Sequence, residues 1–529
     1  MEAKLATIGD IAERRFDFVV VGGGTAGLTV ASRLSENPDV TVAVLEAGKA
    51  SFDDPNVLKP DGFMQQLMRP AYDWAFLTAP QKHLGDKVMP WFRGKGLGGS
   101  SRLNFLMWMT PQREDIDAFE RLGNTGWNWE TTRRYLEGIQ RPVTDATGLG
   151  GEATGPIPLG YASTPSGAEL PFQKSMNNNG IATPLVEDMA TGQFEHNGSQ
   201  YNVYVNKDVI LSAGAVKSPQ ILELSGIGSY NILSSQGIPV KVDLPGVGEN
   251  LRDKVTISIT LEMKEGHDIF SFNLMANPEF HPRLNEIFPD TAGDFSSVIS
   301  GMTFVPIQAL PDNIQSTVLS SAEAFTKNAK QQGLYTKVHE LLGDHLKSAK
   351  IPDFEVVVTP FVPSGPDPKK PYISLVVCLS HPFSSGNIHI QSQDPKMIPL
   401  IDPHVFENSL DLDILVEAFK FTRQVVQTAP FCDVVSKEIN PGLDASTDDQ
   451  IKAAIQKNLA TIWHSSGTLS MLPKQDGGVV DSKLKVYGTT NIRVVDMSIV
   501  PAPISSHTQA IVYAMAEQAV DIIRKEFGL

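Results

Sequence analysis

The hydrophobic positions near the N-terminus form short unbroken runs. Phe16–Val21 is apolar and largely β-branched, as a strand buried on both faces requires, and it leads directly into Gly22-Gly23-Gly24-Thr25-Ala26-Gly27. Helix formers from Leu28 to Leu34 follow and end near Asn37-Pro38. A second apolar run, Val40–Leu45, closes on Glu46. The order predicts a strand, a GxGxxG loop, a helix and a second strand, which together make a dinucleotide crevice. Gly22 makes the tight turn, Gly24 lets backbone N–H groups approach a pyrophosphate, and Gly27 lets helix and strand pack closely. Glu46 stands where a carboxylate accepts from ribose hydroxyls. The motif alone does not separate NAD from FAD.

Further along, apolar runs at Val255–Glu262, Phe354–Phe361 and Tyr372–Ser380 predict an antiparallel sheet. Helices at about 313–348 and 409–428 would cover it, and Pro363–Pro371 reads as a loop. Lys207–Leu211 predicts a buried strand, after which Pro219 opens a helix. Thr191–Phe194 and Tyr201–Val205 should pair across the turn Glu195–Gln200. A chain of 529 residues exceeds one core, so two domains are expected. Residues 1–254 and 461–529 form the dinucleotide-binding domain, with 142–190 an atypical connecting segment, and 255–460 form a substrate domain.

Composition narrows the function. A formal charge of −16 repels phosphate backbones, so nucleic acid is not an expected partner. Cys378 and Cys432 are the only cysteines, and both are expected to be buried inert thiols, with no disulfide framework and no metal site. No stretch has the length and apolarity of a membrane span. The N-terminus lacks an apolar leader, so a cytoplasmic location is expected as written; a secreted form with its signal peptide removed would look similar. The sequon at Asn197 does not decide between them.

A second glycine cluster, Trp91-Phe-Arg-Gly-Lys-Gly-Leu-Gly-Gly-Ser-Ser-Arg-Leu-Asn104, can lie flat against a planar or anionic group and precedes Phe105-Leu-Met-Trp108. The whole string resembles the first signature of the glucose-methanol-choline (GMC) oxidoreductase family, whose members carry FAD. Ser212–Gly228, Leu244–Leu251, His381–Gly386 and Asp394-Pro395 match further segments in order. The resemblance is closest to fungal aryl-alcohol-oxidase-like and secondary-metabolism members. It implies a Rossmann-like α/β FAD-binding domain beside an α+β substrate domain with an antiparallel sheet. The FAD contacts it implies start with Gly22, Gly24, Thr25, Ala26, Gly27, Glu46 and Ala47. Trp74, Arg93, Gly94, Leu97, Gly98, Gly99, Asn104, Phe105, Leu106 and Met107 follow, and Asp496, Thr508 and Gln509 complete the set. Two departures stand out: a strand that family members place near the adenine is replaced by the short Val186–Ala190, and Lys254 stands where the family often has His.

The same resemblance sorts the histidines. His83, His196, His267 and His281 lie in polar or turn-like contexts, and His339 and His345 on a predicted helix, so none is expected to be catalytic. His464, in Trp463-His-Ser-Ser-Gly-Thr-Leu-Ser-Met471, occupies the family's catalytic position, and His507 that of a second His or Asn beside the flavin. Alcohol oxidation needs one group to take the hydroxyl proton while hydride leaves carbon for flavin N5. Neutral imidazole suits the first task. His464 is assigned as base and His507 as the partner that orients the alcohol, with the opposite split open. The helix from Ala510 would aim its N-terminal dipole at the flavin. Expected partners are a small-molecule alcohol and oxygen or another electron acceptor. A non-redox lyase or cyclase on this scaffold, or a degenerate member with weakened FAD binding, stay open.

Overall fold

The computed structural model describes residues 5–6, 8–142, 155–159, 166–181, 203–267, 269–276, 299, 301–360, 362 and 367–529. The predicted hairpin around Glu195–Gln200, the short Val186–Ala190 segment, Asn197, His196 and His281 lie outside them, as does most of 142–190.

Strand β1 (Arg14–Val21), helix α1 (Thr25–Leu34) and strand β2 (Val42–Leu45) make the predicted first unit, with Val19 opposite Ala43 in parallel register. Helices α2 (Arg113–Arg121) and α3 (Trp129–Ile139) follow, the second capped by Asn128, whose side chain accepts from the Thr131 amide at 3.1 Å. Strand β3 (Val203–Leu211) then pairs with the other edge of β1. Leaving β1 in opposite directions, the chain opens a crevice at the carboxyl ends of β1 and β3, the switch point at which such sheets bind ligands.

Helix α4 (Gly214–Leu224) corrects one expectation: Pro219 lies inside it. The helix opens at Gly214 because the buried Asp496 carboxylate accepts that amide at 2.9 Å. Proline withholds the N–H that would bond the Ala215 carbonyl. Thr468 Oγ1 donates to that carbonyl instead, at 2.7 Å, so the break in the ladder is satisfied from another part of the chain.

The antiparallel sheet consists of β4 (Val255–Met263), β5 (Gly301–Val305), β6 (Phe354–Thr359), β7 (Tyr372–Leu379) and β8 (Val435–Asn440), in spatial order β5-β6-β7-β4-β8; the short strand Ala460–Thr461 also pairs with β4. The single helix expected over 313–348 is two, α5 (Asp312–Gln332) and α6 (Lys337–His345). Gly333, at φ 71°, ends the first, and Thr336 starts the second through a capping box with His339. Helix α7 (Ser409–Val426) packs on β7. Strand β9 (Ile492–Val494) then completes the parallel sheet in the order β9-β3-β1-β2, and α8 (Gln509–Phe527) lies against α1 and α3.

Each sheet has its own apolar core. Phe18, Val20, Val30, Ile210, Val494 and Met515 belong to the parallel one; Ile257, Val356, Leu375, Leu415 and Phe419 to the antiparallel one. Phe172 and Met176, from the helix Glu169–Asn178, join the antiparallel core. Cys378 is fully buried on β7 as expected, whereas Cys432 is only half-buried because it sits on a single-turn helix near the surface. Among the described residues no helix is long and apolar enough to cross a membrane.

Candidate active site

Contacts too tight for any side chain shape the crevice. A Cβ at Gly22, where φ is 108°, would stand 2.4 Å from the Ser212 carbonyl oxygen, and one at Gly27 would stand 2.0 Å from the Gly22 carbonyl oxygen. Only glycine allows this turn and this approach of helix to strand. Gly24 begins α1 with no side-chain cap, and no acid lies in the first turn that contains Thr25, Ala26 and Gly27. The amides and dipole of that turn are therefore available to an anion.

Glu46 joins the two glycine clusters. Its carboxylate accepts from the amides of Gly23 and Gly48 at 2.8 Å each and from Gly96 at 2.9 Å. The Gly98 amide donates to the Gly23 carbonyl at 2.8 Å, and a Cβ at Gly99 would stand 2.8 Å from Gly24 Cα. A Cβ at Gly94 would stand 2.0 Å from the Gly99 carbonyl oxygen, and Leu97 covers Gly23. Thr25 Oγ1 and Ser101 Oγ share a hydrogen bond. Ala47 is exposed on the turn beyond Glu46. Trp74, tied to the Arg93 carbonyl at 2.9 Å, carries the Lys95 and Lys217 ammonium groups 4.8 and 4.5 Å from its ring. Burial, with Lys95 nearby, pushes Lys217 down to about 8.

The chain beyond the second cluster turns toward α8. Asn104 donates to the Gln509 side chain at 2.8 Å and accepts the Leu106 amide at 2.9 Å, which holds Leu106 at φ 61°. Phe105 packs between Phe63 and Trp463, with ring centroids at 4.7 and 6.3 Å, and Met107 is half-buried beyond it. Asp496 is spent internally: one oxygen takes Gly214 N and Ser218 Oγ, the other Ser498 N and Oγ. Thr508 precedes α8 without capping it through its side chain, so this helix too presents a free N-terminus.

The two histidines meet. Their rings stand 4.8 Å apart, edge to face, His464 from the segment after Thr461 and His507 from the segment before α8. Trp463 is held at φ 58°, a conformation few side chains adopt. Arg93 donates to the Trp463 carbonyl at 2.6 Å and to Ser465 Oγ, while the Trp463 indole donates to the Pro90 carbonyl at 3.0 Å. Burial pushes the His464 imidazole well below its usual 6.5, and its neighbours His507, Lys254 and Arg93 act in the same direction. Nδ1 of His464 is buried without a hydrogen-bond partner.

Three charged groups surround this pair, and of them only Lys254 was singled out in the sequence, as a departure from the family's usual His. Glu355, fully buried on β6, meets His507 Nε2 at 3.2 Å. Burial would raise its carboxyl, but His507 and Lys254 hold it below the ordinary value. Lys254 is buried and donates to the carbonyls of Ser505 and Ser506 at 2.6 and 3.0 Å; burial lowers its pKa. Asp253 is raised to about 6, chiefly by burial. Their signal in the sequence is a charge inside or beside an apolar strand, Glu355 in Phe-Glu-Val-Val-Val-Thr and Asp253-Lys254 before Val255.

Comparison with known proteins gives the family. GMC oxidoreductase family models match residues 16–183, 185–256 and 382–516, and the chain belongs to the GMC oxidoreductase family. It is 32% identical to the GMC oxidoreductase family protein Mala s 12 of Malassezia sympodialis, over 97% of this chain and 93% of that one. It is 30% identical to the dehydrogenase mpl7 of Monascus purpureus, over 98% and 97% respectively. Among solved structures, a variant of Aspergillus oryzae formate oxidase studied for its FAD modification superposes with a TM-score of 0.82 at 26% identity, covering 98% of this chain and 99% of that one. The alignment with Mala s 12 runs over 590 positions against a chain of 529, and the family match breaks at residue 184, close to the short segment noted in the sequence.

Proposed function

We propose that this protein is an FAD-dependent enzyme that oxidises an alcohol, with His464 as the base and His507 as the orienting partner. The observation that carries this reading is the pairing of two imidazoles 4.8 Å apart, one of them kept neutral, at the uncapped start of α8. Two glycine cradles that no Cβ could enter, Glu46 beside them and the free first turn of α1 fit the pyrophosphate and ribose of FAD. Trp74, Arg93, Asn104–Met107, the Asp496 region, Thr508 and Gln509 would line its ribitol and flavin. When bound, FAD supplies the acceptor for the hydride at flavin N5.

The chain's own groups account for the rest. His464 Nε2 takes the hydroxyl proton, because a neutral imidazole has a free lone pair and its neighbours oppose protonation in the free enzyme. Glu355 holds His507 through Nε2, which leaves Nδ1 for the substrate oxygen. Lys254, fastened to the Ser505 and Ser506 carbonyls, holds the segment that presents His507. Oxygen or another electron acceptor would complete turnover.

Anaerobic mixing with primary and aryl alcohols tests the proposal. The oxidised flavin band should bleach, and His464→Gln should slow bleaching by about 10²–10⁴-fold while the flavin stays bound. Product without bleaching would point to a lyase or cyclase. Purified protein with no flavin absorbance would overturn the cofactor assignment.

A further inference from the structure

Away from the paired histidines, a second group of side chains is brought together. Asp115 on α2, His345 at the end of α6 and His381 just after β7 are exposed by only 1%, 1% and 3%. One ligand atom from each can be chosen so that all lie within 4.8 Å of one another. His381 Nε2 is 2.9 Å from Asp115 Oδ1 and His345 Nδ1 is 3.9 Å from the same oxygen, with the two rings 5.1 Å apart. Both ring nitrogens of His345 and Nδ1 of His381 are buried without a hydrogen-bond partner. An imidazole with two unpaired nitrogens in a protein interior has lost its hydration for nothing, and buried polar groups are seldom left so. Here the unpaired nitrogens flank a carboxylate that is already oriented: its Oδ2 accepts from Ser505 N at 2.7 Å and from Ser505 Oγ at 2.5 Å.

We propose that Asp115, His345 and His381 form a buried site for a divalent transition-metal ion such as zinc, which ties α2, α6 and the end of β7 to the segment carrying His507. Two imidazoles and one carboxylate are the donors of zinc, cobalt and nickel sites, and too nitrogen-rich for calcium or magnesium. Ligands of a tetrahedral ion with bonds of about 2.1 Å stand about 3.4 Å apart, so the group must contract. His345 can supply that movement because no hydrogen bond restrains its ring. The Ser505 hydrogen bonds serve as the outer support that fixes a ligating carboxylate. Ser505 is two residues from His507, so the ion acts as a structural clamp on the substrate-facing segment and takes no part in the redox step.

The test uses untagged full-length protein with its flavin, stripped with a chelator and then offered Zn²⁺ or Co²⁺. About one equivalent should be retained per chain after dialysis, and Zn²⁺ should raise the unfolding midpoint. His345→Gln should weaken uptake by at least about 100-fold, since loss of a supporting group alone costs 10–100-fold. A variant that fails to fold leaves the wild type to decide, by X-ray absorption at the zinc edge. Imidazole scattering from two ligands is the expected result. An all-oxygen shell, uptake equal in wild type and His345→Gln, or no retained metal would each overturn the proposal.

Discussion

Trp463 shows how the site is set residue by residue. Its left-handed backbone is held at both ends, by Arg93 on the carbonyl and by the indole on Pro90, and the strain delivers His464 to face His507. Because burial and its neighbours His507, Lys254 and Arg93 oppose its protonation, His464 is the free base throughout the neutral range. Protonation removes the base, so the rate of flavin reduction should hold as pH falls through 7 and drop only well below 6.5. A pH profile of the anaerobic reductive step, by stopped flow, checks this. An acid limb centred above 6.5 would show that another group is the base.

Elements depend on single bonds that join distant segments. Helix α4 tolerates Pro219 because Thr468 supplies the donor that proline lacks. Thr468→Val should leave the Ala215 carbonyl buried and unpaired and destabilise the fold by about 1–3 kcal/mol, read by urea denaturation. The same helix is fastened through Glu223, whose carboxylate meets His389 Nδ1 at 2.7 Å while Glu249 takes Nε2 at 3.1 Å. Burial alone would lower the pKa of His389, yet the two carboxylates raise it to about 9. A histidine raised on folding contributes its full stability below about 6.5, and that contribution is lost as pH rises through 9. His389→Gln should flatten the stability profile between those limits, a difference of up to about 3 kcal/mol, in denaturant melts taken from pH 6 to 10.

At the scale of the molecule, two sheets with separate cores enclose the histidine pair from opposite sides: His507 comes from the parallel-sheet side and its partner Glu355 from the antiparallel sheet. We propose the domain boundaries accordingly, residues 1–254 and 461–529 against 255–460, with the helix Glu169–Asn178 lent to the second core. Hydrogen exchange should then resolve two cooperative sets of slow amides, one centred on β1 and β3 and one on β4, β6 and β7, with Glu169–Asn178 in the second set. A single set spanning both sheets would argue against the division.

Contiguous residues were enough for the crevice, because a glycine turn, an apolar strand and a helix start are local properties of the backbone, whereas His464 and His507 were singled out by the family resemblance and the structure brings their rings together. Contiguous residues also carried three strands of the antiparallel sheet, β4, β6 and β7, whose apolar runs are long enough to be read singly, but not its edge strands β5 and β8. The break at Gly333 and the internal Pro219 escaped, since a helix-ending glycine is ambiguous in a periodic run and the donor that rescues Pro219 is far away in the chain. Glu355 under His507, Lys254 on the Ser505 and Ser506 carbonyls, and Asp115 between His381 and Ser505 were decided only by the tertiary structure. Glu355 and Asp115 are ordinary charged residues in the sequence, and Lys254 stood out there only as a replacement for a family His, with no partner to be read. Burial beside a partner from another element makes each part of a site, because in a low-dielectric interior a charge must be paired.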